Sequence, residues 1–333
     1  MINNVLIGSL ILSIILIIAG YIHYKIWRYT LIKKLNAGSR ILQLSCGPVE
    51  YAMLGKGPTI FISHGGGTGY DNIYLYDYLV KAGFRLICPS KPGYLRTSLS
   101  VGETFEAQAD MFAELLDKLE IKEPVCIIGV SLGGPAALQF ALRHPDRVRC
   151  LVMQDAVSKE YHANEESKKS ILGKMYLSPI GREAIGYLMD ISTQLWPESI
   201  FKTYLQVETT YPAKELNATT KKIMSIPGEK QKIKDFSKVV SPLGMRCQGM
   251  DMEMRLSEKL SRYPLENITV PTLVTQSRVD KDVTRDHGEF VAQTVKNAEL
   301  YEFDGCGHMF WFGEEGEKVK NKLIEFLLKN LKL

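Results

Sequence analysis

The chain has 333 residues, of which 45% are hydrophobic and 23% charged, a composition typical of globular proteins. This length is ample to bury a core, so stability requires neither disulfides nor a structural metal. The formal net charge is only +4, whereas a nucleic-acid partner would need Lys and Arg clustered on one face, so we predict no such partner. The six cysteines lack CxxC spacing, and we expect reduced thiols.

The first predicted element is an apolar segment at residues 5–22, with 18 uncharged residues. That length suffices to cross a bilayer core of about 30 Å at a rise of roughly 1.5 Å per residue. A cleaved signal peptide would need basic residues before the apolar segment and a small-residue cleavage site after it, and the sequence has neither. We therefore predict that residues 1–30 form an uncleaved anchor in the lipid bilayer. Basic residues follow the segment, and by the positive-inside rule they place the catalytic domain of this single-pass protein in the cytoplasm.

Downstream of the anchor, short apolar runs alternate with amphipathic segments. A hairpin is predicted over residues 40–54, followed by strands at 59–63, 84–88, 125–130, 148–153, 272–276 and 298–303. Helices are predicted at 72–82, 103–119, 132–143, 286–296 and 315–331. Strands that are apolar on both faces and alternate with helices indicate a mostly parallel sheet covered on both sides.

One long interval, between residues 154 and 270, contains no comparable strand. Its patterns are helical at residues 167–175, 181–193 and 200–208. A structureless loop of this length would be implausible in a compact domain. We predict a helical cap at residues 156–265, inserted into a core formed by residues 40–155 and 266–333.

The sequence Gly129-Val130-Ser131-Leu132-Gly133 joins a predicted strand directly to a predicted helix. This G-x-S-x-G pattern in a strand–turn–helix context is typical of a nucleophile elbow. Gly129 and Gly133 avoid the clashes that a Cβ would make in so sharp a turn. Ser131 then lies at a helix N-terminus, where the dipole favours developing negative charge. We predict that Ser131 is a catalytic nucleophile.

A nucleophilic serine needs a base, and the base needs a carboxylate to orient it. His308 follows the last predicted strand in a glycine-containing loop, at the strand end where open α/β sheets bind ligands. Asp280 follows the preceding strand in the same way. We predict His308 as the base and Asp280 as the acid. The alternatives are His287 for the base, and Asp155, Asp282 or Asp304 for the acid.

A glycine-rich loop, His64-Gly65-Gly66-Gly67-Thr68-Gly69, follows the strand at residues 59–63. Backbone N–H groups without neighbouring side chains can approach a substrate oxygen, and each such donor contributes about 3 kcal/mol to a tetrahedral state. We predict the N–H groups of Leu132 and Gly66 as this oxyanion hole, with Gly67 as a near-equal alternative. No Lys-Ser/Thr pair follows, as a phosphate-binding loop would require, and no second histidine lies at metal-binding spacing.

With these motifs the chain resembles the α/β-hydrolase superfamily, in the serine-nucleophile subgroup with a helical cap domain. The resemblance covers residues 40–333 and rests on His64-Gly65-Gly66, Lys91-Pro92-Gly93-Tyr94, residues 129–133, residues 277–283 and Gly307-His308. It implies an eight-stranded, mostly parallel sheet with helices on both faces, a triad in the order serine, acid, histidine, and no cofactor. The sequence departs from the pattern at Gln276-Ser277, where His-Gly often precedes the acid.

Together these features predict a membrane-anchored serine hydrolase that cleaves a carboxylic ester, with a small acyl-ester or lipid-like substrate and neither metal nor cofactor. An aminopeptidase or a thioesterase is the alternative. An aminopeptidase would need acidic cap residues near the site, for which Glu208, Asp251 and Glu253 are available. A non-catalytic ligand-binding homologue would usually have lost a triad member, and this chain retains all three. The sequence makes no prediction of the oligomeric state.

Overall fold

The computed structural model describes residues 2–162 and 178–331 and divides into two compact units, Met1–Gly38 and Ser39–Leu333. The first unit is a single helix, α1 (Ile2–Gly38). Its most apolar 18-residue window has a mean hydropathy of 2.3 and is fully exposed. This helix has the length and composition to span a membrane, properties that it shares with signal sequences and with buried core helices. It extends beyond the predicted boundary at residue 30, and residues 31–37 contain neither glycine nor proline to end it.

The second unit is built on one eight-stranded sheet with the strand order β1-β2-β4-β3-β5-β6-β7-β8. β1 and β2 form an antiparallel hairpin, β2 is also antiparallel to β4, and all other neighbours are parallel. The predicted mostly parallel sheet is therefore confirmed. The strands are β1 (Arg40–Leu44), β2 (Gly47–Leu54), β3 (Thr59–Ser63), β4 (Arg85–Pro89), β5 (Val125–Val130), β6 (Val148–Gln154), β7 (Thr272–Ser277) and β8 (Ala298–Phe303).

The helices predicted at residues 103–119, 132–143, 286–296 and 315–331 are present with small changes of boundary, and the helix predicted at 72–82 differs. There, the predicted helix at 72–82 is replaced by a 3₁₀ segment at Tyr70–Tyr76 and a short helix at Asp77–Lys81. The buried Asp71 carboxylate forms an ion pair with Arg246 in this segment, a long-range contact that the local pattern cannot reveal. The helices are α2 (Asp77–Lys81), α3 (Phe105–Lys118), α4 (Gly134–Arg143), α5 (Pro179–Leu195), α6 (Pro197–Glu208), α7 (Ala213–Met224), α8 (Glu229–Val239), α9 (Cys247–Ser257), α10 (Arg285–Thr294) and α11 (Gly313–Asn330).

The core lies on both faces of the central strands. Every residue of β3 and β5 is buried, as expected for strands covered by helices on both sides. The aromatic rings of Phe61, Phe112 and Phe140 pack together where β3 meets α3 and α4, with Phe61 and Phe112 centroids 4.9 Å apart. This rigid packing fixes the carboxyl ends of β3 and β5, where the candidate site is found.

The helices α5 to α9 occupy the interval between β6 and β7. Two of them correspond to the helices predicted at residues 181–193 and 200–208, while the helix predicted at 167–175 lies outside the described residues. Apolar side chains of α6, α7 and α8 pack against Cys306, Met309 and Phe312 of the loop that follows β8. This interval therefore packs directly on a segment that carries a candidate site residue. The predicted boundaries of the cap and core stay a prediction.

Candidate active site

The turn between β5 and α4 holds Ser131 in a left-handed conformation, with φ of 50°. Non-glycine residues rarely adopt this conformation, and such strain is typical of functional turns. The flanking glycines are sterically required: a Cβ at Gly133 would lie 2.0 Å from the Ser63 carbonyl oxygen, and one at Gly129 would lie 2.8 Å from the Ala137 Cβ. The local sequence thus produces a sharp elbow that places the serine at the sheet edge.

The structure brings together Ser131, His308 and Asp280. The Ser131 Oγ lies 2.9 Å from the His308 Nε2, and the His308 Nδ1 lies 2.8 Å from the Asp280 Oδ2. The second oxygen of Asp280 accepts hydrogen bonds from the backbone N–H groups of Asp282 and Val283, at 2.8 and 3.0 Å. These bonds fix the carboxylate so that its Oδ2 faces the imidazole. The hydroxyl, imidazole and carboxylate form one continuous hydrogen-bonded chain.

The alternative acids take other positions. The Asp155 Oδ1 accepts a hydrogen bond from the Ser277 backbone N–H, and Asp304 pairs with the Arg278 guanidinium. The Asp282 Oδ2 lies 3.9 Å from the His308 Nε2, beyond hydrogen-bond distance. Of the four carboxylates considered from the sequence, Asp280 is the one that hydrogen-bonds to His308.

The alternative base, His287, lies on α10, and its ring contacts Tyr161 with centroids 6.2 Å apart. Its Nδ1 accepts a hydrogen bond from the Ser158 backbone N–H at 3.2 Å, and burial lowers its pKa to about 4. The burial of this neutral imidazole and its hydrogen bond to Ser158 are explained by packing, without a catalytic role for His287. Among the described residues, no group of three or more His, Cys, Asp and Glu side chains is arranged to hold a metal ion.

The charge around His308 stabilises its protonated form. Burial lowers the pKa of His308, but the charge of Asp280, the hydrogen bond to Asp280, and the charges of Asp282 and Glu208 outweigh it. The net result is a pKa well above the usual histidine value. An imidazole in this environment readily accepts a proton from a hydroxyl group, which is the property that a general base requires.

Glu208, at the end of α6, is the member of this charge cluster whose role the sequence did not predict. Burial raises the pKa of Glu208 to about 7; the His308 charge opposes that rise, and the Asp282 and Asp280 charges add to it. The sequence indicated Glu208 only as one acidic residue available for binding an amine. Its position beside His308 depends on how α6 packs, which local sequence patterns do not encode.

The backbone of residues 208–210 joins the loops that carry Asp280 and His308, and we refer to this segment as the splint. The Glu208 carbonyl accepts hydrogen bonds from the N–H groups of Lys281 (3.2 Å) and His308 (3.4 Å). The Thr210 N–H donates to the Val279 carbonyl at 3.0 Å, and Thr209 forms a β-bridge with Asp280. The splint therefore fixes the loop of Asp280 relative to the loop of His308.

The close approach of the splint explains a glycine next to the histidine. Gly307 has φ of +57°, and a Cβ there would lie 2.2 Å from the Glu208 carbonyl oxygen. A side chain at residue 307 would force the splint away from the His308 loop. This is the physical reason for the Gly-His pair in the sequence.

The predicted oxyanion loop lies against the elbow. A Cβ at Gly66 would come 2.9 Å from the Leu132 Cδ1, so the two predicted donor residues are neighbours. Gly67 has φ of +71°, and a Cβ there would meet nothing within 4 Å, which leaves it equally open to a ligand.

The neighbouring His64 is buried, and its pKa is lowered well below the usual value by burial and by the Lys91 charge. The neutral His64 accepts from the Lys91 N–H and bonds to the Gly65 carbonyl, at 3.0 and 2.8 Å.

Behind this loop lies a buried ionic network that the sequence did not predict. The Lys91 Nζ lies 2.6 Å from the Glu253 Oε1, and both side chains are fully buried. Tyr94 donates to the same carboxylate at 2.7 Å, and the Lys91 Nζ donates to the Leu132 carbonyl at 3.3 Å. Breaking a buried ion pair leaves an uncompensated charge, at a cost of about 3–5 kcal/mol. The network therefore holds α9 firmly against the elbow.

A mostly parallel eight-stranded sheet with an elbow serine and a histidine at the same edge is the architecture of an α/β hydrolase. A sequence model of the α/β-hydrolase fold matches residues 58–175. The uncharacterized hydrolase YcgS of Bacillus subtilis (strain 168) is 30% identical over 281 residues, which cover 84% of this chain and 95% of that protein. The chain belongs to the α/β-hydrolase family.

Two further similarities agree with this assignment. The 2-hydroxy-6-oxo-6-phenylhexa-2,4-dienoate hydrolase of Comamonas testosteroni is 26% identical over 289 residues, which cover 84% of this chain and 91% of that enzyme. An alpha/beta hydrolase fold protein from Nakamurella multipartita superposes with a TM-score of 0.78 at 28% identity, over 87% of this chain and 98% of its own. The relatives are hydrolases.

Proposed function

We propose that the protein is a membrane-anchored serine hydrolase that cleaves a carboxylic ester, with Ser131 as nucleophile, His308 as base and Asp280 as acid. The observation that carries this proposal is the continuous hydrogen-bonded chain from the Ser131 Oγ through His308 to Asp280, with distances of 2.9 and 2.8 Å. A serine hydroxyl is a weak nucleophile by itself, and an imidazole in contact with it supplies the required base.

In the proposed reaction the Ser131 Oγ attacks the ester carbonyl carbon while the His308 Nε2 takes the hydroxyl proton. The resulting oxyanion accepts hydrogen bonds from the N–H groups of Leu132 and Gly66, or of Gly67 in place of Gly66. The imidazolium then gives its proton to the leaving alkoxide, and the acyl group stays on Ser131. His308 next activates water, which attacks the acyl-enzyme and releases the carboxylic acid. Asp280 keeps the imidazole oriented throughout.

The side chains near Ser131 support the proposal that the substrate carries an apolar acyl group. Leu132 belongs to a buried apolar cluster with Val157, Tyr161, Met250 and Val283. Apolar walls with a few oriented polar groups are typical of small-molecule sites. The apolar helix α1 supports anchoring in a bilayer, where lipid-like esters would be available.

The names of curated relatives favour a second candidate, hydrolysis of a 2-hydroxy-6-oxo-dienoate. Such a substrate contains no ester, so water must cleave a carbon–carbon bond next to a ketone, and the same serine could attack that ketone. The substrate also carries a carboxylate. The acidic groups of Asp282 and Glu208 beside His308 disfavour another negative charge there. This electrostatic argument favours the ester.

The decisive experiment combines active-site labelling with a substrate panel. We expect a fluorophosphonate to label the wild-type protein and the Ser100→Ala control, which changes an exposed serine, and to leave Ser131→Ala unlabelled. We expect p-nitrophenyl esters of increasing chain length to be hydrolysed, and 2-hydroxy-6-oxo-6-phenylhexa-2,4-dienoate to persist. Labelling that is independent of Ser131 would contradict the mechanism. Turnover of the dienoate without turnover of any ester would show that the substrate is a dienoate and not an ester. Cleavage of aminoacyl amides alone would favour a peptidase.

The pH dependence of the reaction is expected to report on Glu208. The base must be neutral to act, so kcat/KM rises with pH through the pKa of His308, which lies above the usual value. Ionised Glu208 contributes to that elevation, so Glu208→Gln should lower the pKa of His308 and move the rise in kcat/KM to lower pH. The control is Glu198→Gln, which removes an exposed carboxylate from the same helix. Identical profiles for the wild type and Glu208→Gln would show that Glu208 does not act on His308.

The splint is expected to affect turnover through the position of its backbone. Thr210→Pro removes the N–H that donates to Val279, whereas Thr210→Ala retains it. Thr209 already has the extended conformation that a residue before proline prefers, so Thr209 needs no change of backbone conformation. Because displacement of a reacting group by about 1 Å can cost about 100-fold, we expect kcat to fall about 10- to 100-fold in Thr210→Pro. Thr210→Ala should retain activity, and similar melting temperatures would exclude global unfolding. Equal kcat values for both variants would refute a role for the splint.

A further inference from the structure

Helix α5 presents its polar side chains to the protein interior and apolar side chains to the outside. Arg182, Asp190 and Thr193 are buried, whereas Leu188 and Leu195 are 56% and 60% exposed. Ile180, at the start of the same helix, is 85% exposed. At about 100° per residue, these three apolar side chains fall within one face roughly 80° wide, opposite the buried polar residues. We call Ile180, Leu188 and Leu195 the apolar face of α5.

The orientation of α5 is fixed by contacts of its polar side. Arg182 forms an ion pair with Asp251 at 2.6 Å. The Asp190 Oδ1 accepts a hydrogen bond from Ser237 of α8 at 2.8 Å, and the Gln194 Nε2 donates to the Lys234 carbonyl of α8 at 3.2 Å. Rotating the helix to bury its apolar face would break these bonds and leave charged groups without partners, which is strongly unfavourable. The exposure of the apolar face is therefore imposed by the fold, and a surface of this kind marks a contact site.

The residue that follows α5 indicates what kind of surface this face contacts. Trp196 is 60% exposed, so an accessible indole directly follows the last turn of α5. Tryptophan is enriched where an apolar medium meets water, because one edge of the ring is apolar and the N–H forms hydrogen bonds. The same chain carries helix α1, whose composition suits a bilayer.

A lipid surface fits this face better than a second copy of the chain does. Stable protein interfaces bury about 800 Å² per partner, which a narrow row of three side chains and one indole does not provide. Insertion of a few apolar side chains into a membrane has weak affinity by itself. A tether compensates for weak affinity because it converts association into an intramolecular event at high effective concentration.

We propose that the apolar face of α5, together with Trp196, inserts into the headgroup region of the lipid bilayer that anchors the protein. This inference rests on the proposed membrane anchoring and adds a second lipid contact on the segment that follows β6. It would hold the catalytic unit against the membrane surface, where lipid-borne esters are found.

Fluorescence quenching in reconstituted vesicles tests this contact with the full chain. An environment-sensitive fluorophore is attached at Leu188→Cys, in a background with Cys46→Ser because Cys46 is the exposed native cysteine of the described residues. The control position is Lys122→Cys, an exposed residue at the amino end of β5, whereas α5 lies in the interval that follows the carboxyl end of β6. With phosphatidylcholine that carries a nitroxide on its acyl chain, we expect quenching at position 188 to be several-fold stronger than at position 122.

Vesicle flotation separates the anchoring from the docking. If the chain floats with the vesicles and the fluorophore at position 188 is quenched no more than that at position 122, the docking is refuted and the anchoring stands. If the chain does not float, both are refuted. If position 188 becomes shielded without lipid quenching and chemical crosslinking yields dimers, a second copy covers the face and the lipid contact is wrong. Thermal melting of each labelled variant verifies that it is folded.

Discussion

Replacement of Ser131 with alanine is expected to lower kcat for ester hydrolysis by about 10⁴-fold or more, the size of effect found when a triad nucleophile is removed. The substitution removes one oxygen atom, and that atom lies 2.9 Å from the His308 Nε2. Without it no acyl-enzyme can form, and only the oriented N–H donors and substrate binding remain to assist direct attack by water. Initial rates with a short-chain p-nitrophenyl ester measure the effect, with KM expected to change far less than kcat.

The control for this prediction is Ser100→Ala, which changes a serine in an exposed 3₁₀ segment and should retain full activity. The left-handed backbone at residue 131 tolerates alanine no better than serine, so the melting temperatures of the two variants should be compared. A folded Ser131→Ala variant that retained more than a few per cent of wild-type kcat would eliminate Ser131 as the nucleophile.

Replacement of Asp280 with asparagine is expected to lower kcat by about 10⁴-fold, because an amide in this position favours the wrong tautomer of the histidine. The Asp280 Oδ2 lies 2.8 Å from the His308 Nδ1, and the charge of Asp280 raises the pKa of that imidazole. Asparagine preserves the shape of the side chain but removes this charge. The same variant should therefore also move the rise of kcat/KM to lower pH.

Asp155→Asn is the matched comparison for the acid. Asp155 is fully buried near the same site, and its pKa is raised well above the usual value by burial and by the Asp280 charge. This rise in pKa favours the protonated form of the carboxyl group, which asparagine resembles in shape and lack of charge. We expect Asp155→Asn to retain most of the activity that Asp280→Asn loses. The reverse result would assign the role of the acid to Asp155.

Much of the sheet could be predicted because its strands have a strong local signal. The runs at residues 59–63 and 125–130 are apolar on both faces, and the structure has β3 and β5 at these positions. The elbow is equally local, since its strand, its glycines and its helix lie within about twenty residues. The loops of Asp280 and His308 could be selected because the carboxyl ends of parallel strands meet at one edge of the sheet.

What the sequence could not supply are contacts between distant segments. Lys91 and Glu253 form their ion pair across 162 positions, and neither residue lies in a pattern that indicates burial. Glu208 is a polar residue at the end of an amphipathic helix, and its place beside His308 follows from the packing of that helix. The helix predicted at residues 72–82 is wrong over residues 72–76, which form a 3₁₀ segment, and there a distant arginine forms an ion pair with the neighbouring Asp71.

The splint also constrains how molecules enter and leave the site. In many enzymes, a loop or domain that covers the active site moves away to admit substrate and release product. Here such a movement would break the hydrogen bonds between residues 208–210 and the loops of Asp280 and His308, and closing would have to form them again. Substrate and product should therefore pass through a part of the interval between β6 and β7 that is remote from the splint. The splint would keep its hydrogen bonds through every turnover.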